Sequence, residues 1–162
     1  MRILFLVQKL QLRGAEVFAC QLAAELSNMG VHVDIAYLFS GGQGLREQFP
    51  QLGFIDLEAG QRSRLPDLAA LKRLSGLIVR NKYDLVQANA GDTLKYGVLS
   101  KLIHRWDALL IFRNANKMSA FIRSGLHRIL NQWLLSKCDY FISVSEACRQ
   151  DLIQLYPGAV RN

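Results

Sequence analysis

The chain has 162 residues, about half of them hydrophobic, and a formal net charge of +7. This length suits a single domain, residues 1–162, that buries a sizeable core. No apolar run approaches the ~20 residues of a membrane-spanning helix, and no small-residue cleavage site follows the first apolar run. We therefore expect a cytoplasmic protein, whose positive charge favours acidic partners such as phosphorylated substrates or anionic lipid.

Metal and disulfide chemistry are not indicated by the cysteines. Cys20, Cys138 and Cys148 are odd in number and lack the spacing of metal ligands. They predict reduced thiols in the core, and we expect no metal site.

Strands and helices alternate along the whole chain. Residues 2–7 form an almost unbroken apolar run, which is typical of a strand buried on both faces. The remaining predicted strands cover residues 31–39, 54–57, 83–88, 108–112 and 138–144, and the predicted helices cover residues 15–29, 45–51, 67–81, 93–104, 118–137 and 145–156. The helix over 118–137 is predicted to be the longest. This alternation predicts an α/β fold with a doubly wound, mostly parallel, Rossmann-like sheet of about six strands.

The turn after the first strand has two interpretations. Gly14 permits close approach of the backbone to a ligand, and the amides of Ala15, Glu16 and Val17 would point outward from the first helical turn. That arrangement suits a phosphate cradle, but a plain strand–helix turn has the same residues. The three spaced glycines of a dinucleotide fingerprint and the lysine of a Walker loop are both missing.

Polar and glycine residues follow several strands at their carboxyl ends, where ligands bind in such folds. The predicted edge carries Gly14–Glu16, Gly41–Gly44, Asn89–Asp92, Arg113–Lys117 and Ser145–Glu146. Arg113 directly follows a buried strand and suggests an anion contact. Glu16, Ser145 and Glu146 also suit helix starts, so each has a structural explanation as well.

The segment between Asp107 and Asp139 contains no acidic residue but holds several basic ones. Lys117, Arg123 and Arg128 are its candidate contacts to an acceptor or a membrane surface. The predicted helix over 118–137 carries an apolar stripe: Met118, Phe121, Ile122, Ile129, Leu130, Trp133 and Leu134. Packing against the sheet explains such a stripe, and so does lying on an anionic lipid surface.

Three motifs in this order resemble a known family. They are Arg13-Gly14-Ala15-Glu16 in the first turn, Asp84-Leu85-Val86-Gln87-Ala88-Asn89 at the fourth strand, and DYFISVSEA over residues 139–147. Together they resemble the N-terminal domain of a GT-B-fold glycosyltransferase of the retaining family 4. Two positions depart from the family pattern: Arg13 replaces the first glycine of the turn, and Asn89 replaces a histidine that contacts the donor sugar. Asparagine can donate a hydrogen bond but cannot carry a proton in acid–base chemistry.

The resemblance implies the acceptor-binding half of an enzyme that moves a sugar from a nucleotide sugar to a glycan or a lipid-linked acceptor, as in polysaccharide biosynthesis. The nucleotide-diphosphate sugar would be a co-substrate, with no further cofactor, no metal and no nucleic acid as partner. The catalytic residues are not identified. The implied donor- and phosphate-binding positions are Gly14, Ala15, Glu16, Asn89, Arg113, Ser145 and Glu146.

Two expectations depend on the rest of the molecule. A C-terminal donor-binding domain is absent from these residues, so we expect the isolated domain to be inactive. The alternative function is that of a non-enzymatic α/β module that docks on an anionic membrane or protein surface. The expected location is the cytoplasm, with peripheral attachment to the inner face of the membrane.

Overall fold

The computed structural model describes residues 1–42, 44–60, 66–122 and 124–159. The sequence also predicts a basic loop over residues 61–66, of which 61–65 lie outside the described residues. The strands are β1 (Arg2–Val7), β2 (His32–Tyr37), β3 (Gly53–Asp56), β4 (Leu85–Ala88), β5 (Leu109–Asn114) and β6 (Tyr140–Ser143). The helices are α1 (Gly14–Asn28), α2 (Gly44–Gln48), α3 (Leu68–Asn81), α4 (Gly91–His104), α5 (Gly125–Leu135) and α6 (Glu146–Leu155), with a 3₁₀ turn at Met118–Phe121.

All six strands are parallel and form one sheet in the order β3-β2-β1-β4-β5-β6. The chain builds outward from β1 to β3, crosses back through α3, and builds outward again from β4 to β6. The strand order therefore reverses between β1 and β4, which is where doubly wound sheets bind their ligands. The predicted fold class is confirmed.

Strand β1 lies inside the sheet between β2 and β4, and both of its faces are buried. Leu4 and Leu6 pack into the core layer that includes α3 and α4, while Ile3 and Phe5 pack into the layer beneath α1. Each fully buried side chain of this kind contributes ~1.5–3 kcal/mol through the area it removes from water. The unbroken apolar run in the sequence reflects this two-sided burial.

The longest helix is not where the sequence pattern predicted it. A 3₁₀ turn over Met118–Phe121 ends at the extended Ile122, α5 begins only at Gly125, and α1 with 15 residues is longer. The hydroxyl of Ser124 accepts a hydrogen bond from the backbone N–H of His127 (3.2 Å), which starts α5 at Gly125. In an uninterrupted helix this backbone N–H would bond to a carbonyl of the preceding turn. Here the serine hydroxyl accepts it, so the helix begins at this point.

The apolar stripe of α5 does not pack on the sheet. Leu134 and Leu135 are buried, but Ile129, Leu130 and Trp133 are 65%, 43% and 40% exposed. The explanation of the stripe by core packing is therefore wrong for these three residues. No helix in the described part of the chain is long and apolar enough to cross a membrane.

Candidate functional site

The carboxyl edge of the sheet near the β1–β4 junction carries a polar link between two elements. Gln8 follows β1, and its side-chain amide donates a 2.6 Å hydrogen bond to the carboxylate of Asp92 in the first turn of α4. This bond ties the end of β1 to the start of α4, so the N-termini of α1 and α4 are held on the same edge. Two helix N-termini at one edge favour an anionic ligand there.

The first turn of α1 offers fewer free amides than the sequence suggested. Val17 donates its N–H to the carbonyl of Arg13 (2.9 Å), so its amide is not available to a ligand. The Glu16 carboxylate accepts from its own backbone N–H. The amides of Gly14 and Ala15 remain, and a side chain at Gly14 would meet no atom within 4 Å. The turn is open to a ligand, but it offers fewer free backbone N–H donors than the sequence predicted.

Glu16 is a buried acid at this turn, with 8% of its surface exposed. Burial raises its pKa, and the hydrogen bond from its backbone and the charge of Arg13 only partly oppose that effect. Desolvation disfavours the ionised form of a carboxyl group. Burial therefore disfavours the ionised form of Glu16, and this residue lies beside the open turn.

Arg113 is the least satisfied charge at this edge. It lies within β5, which continues to Asn114 and does not end at residue 112 as predicted, and it is only 7% exposed. Its Nη1 atom is buried without a hydrogen-bond partner, and its guanidinium makes no ion pair with a described residue. Burial lowers its pKa. A buried donor left unpaired costs ~1–3 kcal/mol, and no hydrogen bond or ion pair to a described residue offsets this cost.

The aromatic ring of Phe18 supports this guanidinium. The Arg113 Cζ atom lies 4.0 Å from the centroid of the ring, and Phe18 itself is 40% exposed. The sequence analysis missed Phe18, although its place one turn after Gly14 in α1 was a usable signal. The contact also joins Arg113 to the helix that begins at Gly14, even though β4 lies between β1 and β5. The strands that lead to the Gly14 turn and carry Arg113 are therefore not neighbours in the sheet.

Asn89 is engaged within the fold. Its side-chain amide donates to the carbonyl of Leu6 (3.1 Å) and to that of Gln87 (3.3 Å), and its oxygen accepts from the Gln87 side chain (3.0 Å). The residue is 3% exposed. These bonds hold the end of β4 against β1, so Asn89 has a structural role that is independent of any sugar.

Ser145 and Glu146 start α6 in the way their alternative interpretation predicted. The Ser145 hydroxyl accepts from the backbone N–H of Cys148 (3.3 Å). The Glu146 carboxylate accepts from the side chains of Arg149 (3.1 Å) and Gln150 (2.6 Å), and these contacts lower its pKa. Both residues are exposed, and their role as ligand contacts stays a prediction.

Two of the three predicted surface cations lie among the described residues. Lys117 is exposed directly before the 3₁₀ turn. Arg123 lies outside the described residues. Arg128 donates from Nη2 to the carbonyl of Leu155 (3.1 Å), which ties α5 to the end of α6. This hydrogen bond occupies one N–H group of the Arg128 guanidinium within the fold.

Metal chemistry gains no support from the geometry. Within the described ranges, no three His, Cys, Asp or Glu side chains come together as ligands. Cys20 and Cys148 are buried, Cys138 is half-buried, and all three are free thiols.

The fold and motifs match known proteins along almost the whole chain. The model of Glycosyltransferase Family 4 matches residues 12–161. Among solved structures, Anabaena Alr3699/HepE in complex with UDP-glucose is 19% identical, with a TM-score of 0.75 over 96% of this chain and 40% of that protein. The lipopolysaccharide outer core galactosyltransferase WaaB is 9% identical, with a TM-score of 0.72 over 96% of this chain and 42% of WaaB.

A third similar structure is sucrose-phosphate synthase from Thermosynechococcus elongatus, at 13% identity and a TM-score of 0.68 over 99% of this chain and 46% of that protein. Identities this low establish the fold alone, and the sheet corresponds to one half of a GT-B glycosyltransferase. The chain spans less than half the length of each of these proteins. No curated protein matches the sequence significantly. Because the family model covers most of the chain, the protein belongs to glycosyltransferase family 4.

Proposed function

We propose that this domain is the acceptor-side half of a retaining glycosyltransferase that moves a hexose from a nucleotide sugar to a glycan or lipid-linked acceptor. HepE was solved with UDP and with UDP-glucose, which supports a nucleotide sugar as donor. A second domain would face the carboxyl edge of the sheet, and closure of the two domains would exclude water from the transfer.

The unpaired guanidinium of Arg113 is the observation that carries this proposal. A planar guanidinium can hold a phosphate oxygen pair with two parallel hydrogen bonds, which a lysine cannot do. The ring of Phe18 fixes the plane of the group before the ligand arrives. Preorganisation of this kind reduces the entropy lost on binding. In this proposal, Arg113 receives a phosphate of the donor or of a phosphorylated acceptor.

The other residues at the edge have supporting roles. The amides of Gly14 and Ala15 offer donors at the positive end of α1, where an anion is favoured. Neither Asn89 nor the paired Glu146 supplies a proton to the reaction, because the first cannot carry one and contacts lower the pKa of the second. We propose that the acid–base groups come from the second domain or from the substrates.

The test is binding of UDP, UDP-glucose and inorganic pyrophosphate to the purified chain, measured by calorimetry and by NMR titration. We expect weak binding and no sugar transfer, because these residues correspond to one half of a GT-B fold and transfer is proposed to need both halves. Shifts of amide signals should concentrate at Gly14, Ala15 and Arg113. Arg113→Gln should reduce the affinity for pyrophosphate about tenfold or more, since a charge-assisted pair is worth ~1.5–3 kcal/mol.

Arg80→Gln is the matched control, because Arg80 is an exposed arginine on α3. It should leave pyrophosphate binding unchanged. Equal affinity of the Arg113→Gln variant and the wild type would refute the assignment of Arg113. Robust sugar transfer by the chain alone would refute the proposal that it is only a half-site.

A further inference from the structure

The carboxyl group of Glu16 lies at the positive end of α1. Glu16 belongs to the first turn of the helix, it is 8% exposed, and its carboxylate accepts a hydrogen bond from its own backbone N–H. The free amides and the dipole of a helix N-terminus stabilise a negative charge at this place. The anionic group that meets the start of α1 therefore belongs to the protein itself.

Few charges act on this carboxyl group. Arg13, directly before the helix, favours its ionised form, and the Cys20 thiol lies one turn further along α1. Burial and the charge of Glu16 raise the pKa of that thiol to about 12, so it is uncharged at neutral pH. From the sheet, Arg113 of β5 contacts α1 through the ring of Phe18 and makes no ion pair with Glu16.

We propose that Glu16 is an internal competitor of the phosphate: its carboxylate binds the α1 N-terminus in the free protein, and it takes up a proton from solvent when a phosphate oxygen replaces it. This inference rests on the proposed function, because it concerns the same anion site at Gly14, Ala15 and Arg113. The proton returns to solvent when the nucleoside diphosphate leaves. Glu16 thus regulates binding and takes no part in the transfer of the sugar.

Two negative charges at this turn would repel each other strongly. Solvent screens them little in a buried place, and a nearby like charge favours the neutral form of a carboxyl group. Protonation of Glu16 removes the repulsion, and a neutral carboxyl group is also the weaker hydrogen-bond acceptor. The backbone N–H of Glu16 then becomes a third donor to the phosphate, beside those of Gly14 and Ala15. The charge of Glu16 therefore opposes phosphate binding, whereas the sequence analysis placed this residue among the phosphate contacts.

The pH dependence of binding has a definite sign. The complex holds one more proton than the free protein, so the affinity for an anion should rise as the pH falls through the pKa of Glu16. Burial holds that pKa above its ordinary value of 4.5. A tenfold difference in affinity between the protonated and the ionised form corresponds to a change of about one in this pKa when the anion binds.

The test is an NMR titration of the chain with sulfate from about pH 8 down to about pH 5, a range in which sulfate stays dianionic. Glu16→Gln keeps a side-chain oxygen for the backbone N–H but carries no charge. At neutral pH this variant should bind sulfate about tenfold more tightly than wild type, and its affinity should depend less on pH. A structural role of Glu16 alone would not increase the affinity.

Glu25→Gln is the matched control, because it removes the same charge from an exposed position on α1. It should bind sulfate like wild type and with the same pH dependence. Titration of the histidines is common to all of these proteins, so the difference between Glu16→Gln and Glu25→Gln isolates Glu16.

A second measurement requires no substitution. The carboxyl carbon signal of Glu16 in wild type reports its pKa directly, with and without saturating sulfate. This pKa should be higher in the complex, because the bound anion disfavours the ionised carboxylate.

Equal sulfate affinity of Glu16→Gln and wild type, or an unchanged pKa of Glu16 at saturation, would overturn this inference. The proposed function would stand in that case if Arg113→Gln weakens sulfate binding. Tighter binding by Glu16→Gln together with unchanged binding by Arg113→Gln would support the inference and refute the assignment of Arg113. No sulfate binding by wild type and both variants would overturn the two proposals together.

Discussion

Replacing Arg113 by methionine should stabilise the isolated domain while removing its anion site. The unpaired, buried Nη1 atom costs ~1–3 kcal/mol, and the stacking of the guanidinium on Phe18 returns ~0.5–2 kcal/mol. Methionine keeps an unbranched side chain of similar reach and contacts the ring through sulfur, which is worth ~0.3–1.5 kcal/mol. The desolvation cost disappears and most of the ring contact is kept, so we expect a net gain of about 1 kcal/mol.

For a chain of this size, about 1 kcal/mol raises the midpoint of thermal unfolding by roughly 2–4 °C. The assay is thermal and urea unfolding of wild type and Arg113→Met, each with and without pyrophosphate. Ligand at a hundred times its dissociation constant stabilises the native state by ~2.7 kcal/mol, and only wild type should show this increase. The stability order of the two proteins should therefore reverse when pyrophosphate is added.

The Arg113→Lys variant provides the control, since it keeps the charge but loses the planar fork. Destabilisation of Arg113→Met by more than about 1 kcal/mol in the absence of ligand would refute the reasoning. It would mean that the guanidinium stabilises the native fold and is not held in reserve for an anion.

Three further predictions concern other parts of the edge and the core. Asn89→Ala should cost about 2 kcal/mol in urea unfolding, because it leaves the buried Gln87 amide without its acceptor, and it should leave pyrophosphate affinity unchanged if its role is structural. Asp67 caps α3, and hydrogen bonds from backbone N–H groups lower its pKa. Its contribution to the free energy of unfolding should therefore be complete above the ordinary carboxyl pKa near 3.8 and be lost as the pH falls below that value. Asp67→Ala should cost ~1 kcal/mol at neutral pH and should weaken the dependence of stability on pH in acid. Burial raises the pKa of the Cys20 and Cys138 thiols to about 12, so iodoacetamide at neutral pH should alkylate them only after denaturant unfolds the chain, as measured by mass spectrometry.

Local pattern was sufficient for the order and type of nearly all elements. The apolar run of β1 predicted a strand with the observed ends, Arg2 and Val7, because burial on both faces removes polar residues from the sequence itself. The starts of α3 and α6 could be predicted as well, since Asp67 and Ser145 accept bonds from amides two or three residues onward. Ser124 was the same kind of signal and was overlooked within a longer apolar pattern.

Contacts between residues that are far apart in the sequence determine the chemistry of the candidate site. The sequence predicted that Arg113 and Asn89 lie at the carboxyl ends of two strands, but their chemistry depends on partners that are far away in the chain. Asn89 is satisfied by Leu6, 83 residues earlier, whereas Arg113 contacts the ring of Phe18 and no carboxylate of a described residue. Nothing in the local sequence distinguishes these two outcomes, because desolvation and pairing are set by the elements packed around each residue.

The same reason explains the error over α5. Helical periodicity in the sequence established that an apolar stripe exists in residues 118–137, and this part of the prediction holds for Gly125–Leu135. Periodicity does not establish which neighbour covers a stripe, since a face that packs on a sheet and a face that meets lipid have the same spacing. The sequence by itself therefore determined the doubly wound architecture and its capped helices. Only the tertiary structure decided that Arg113 is buried without an acidic partner among the described residues and that Ile129 and Trp133 face outward, because burial depends on how distant elements pack.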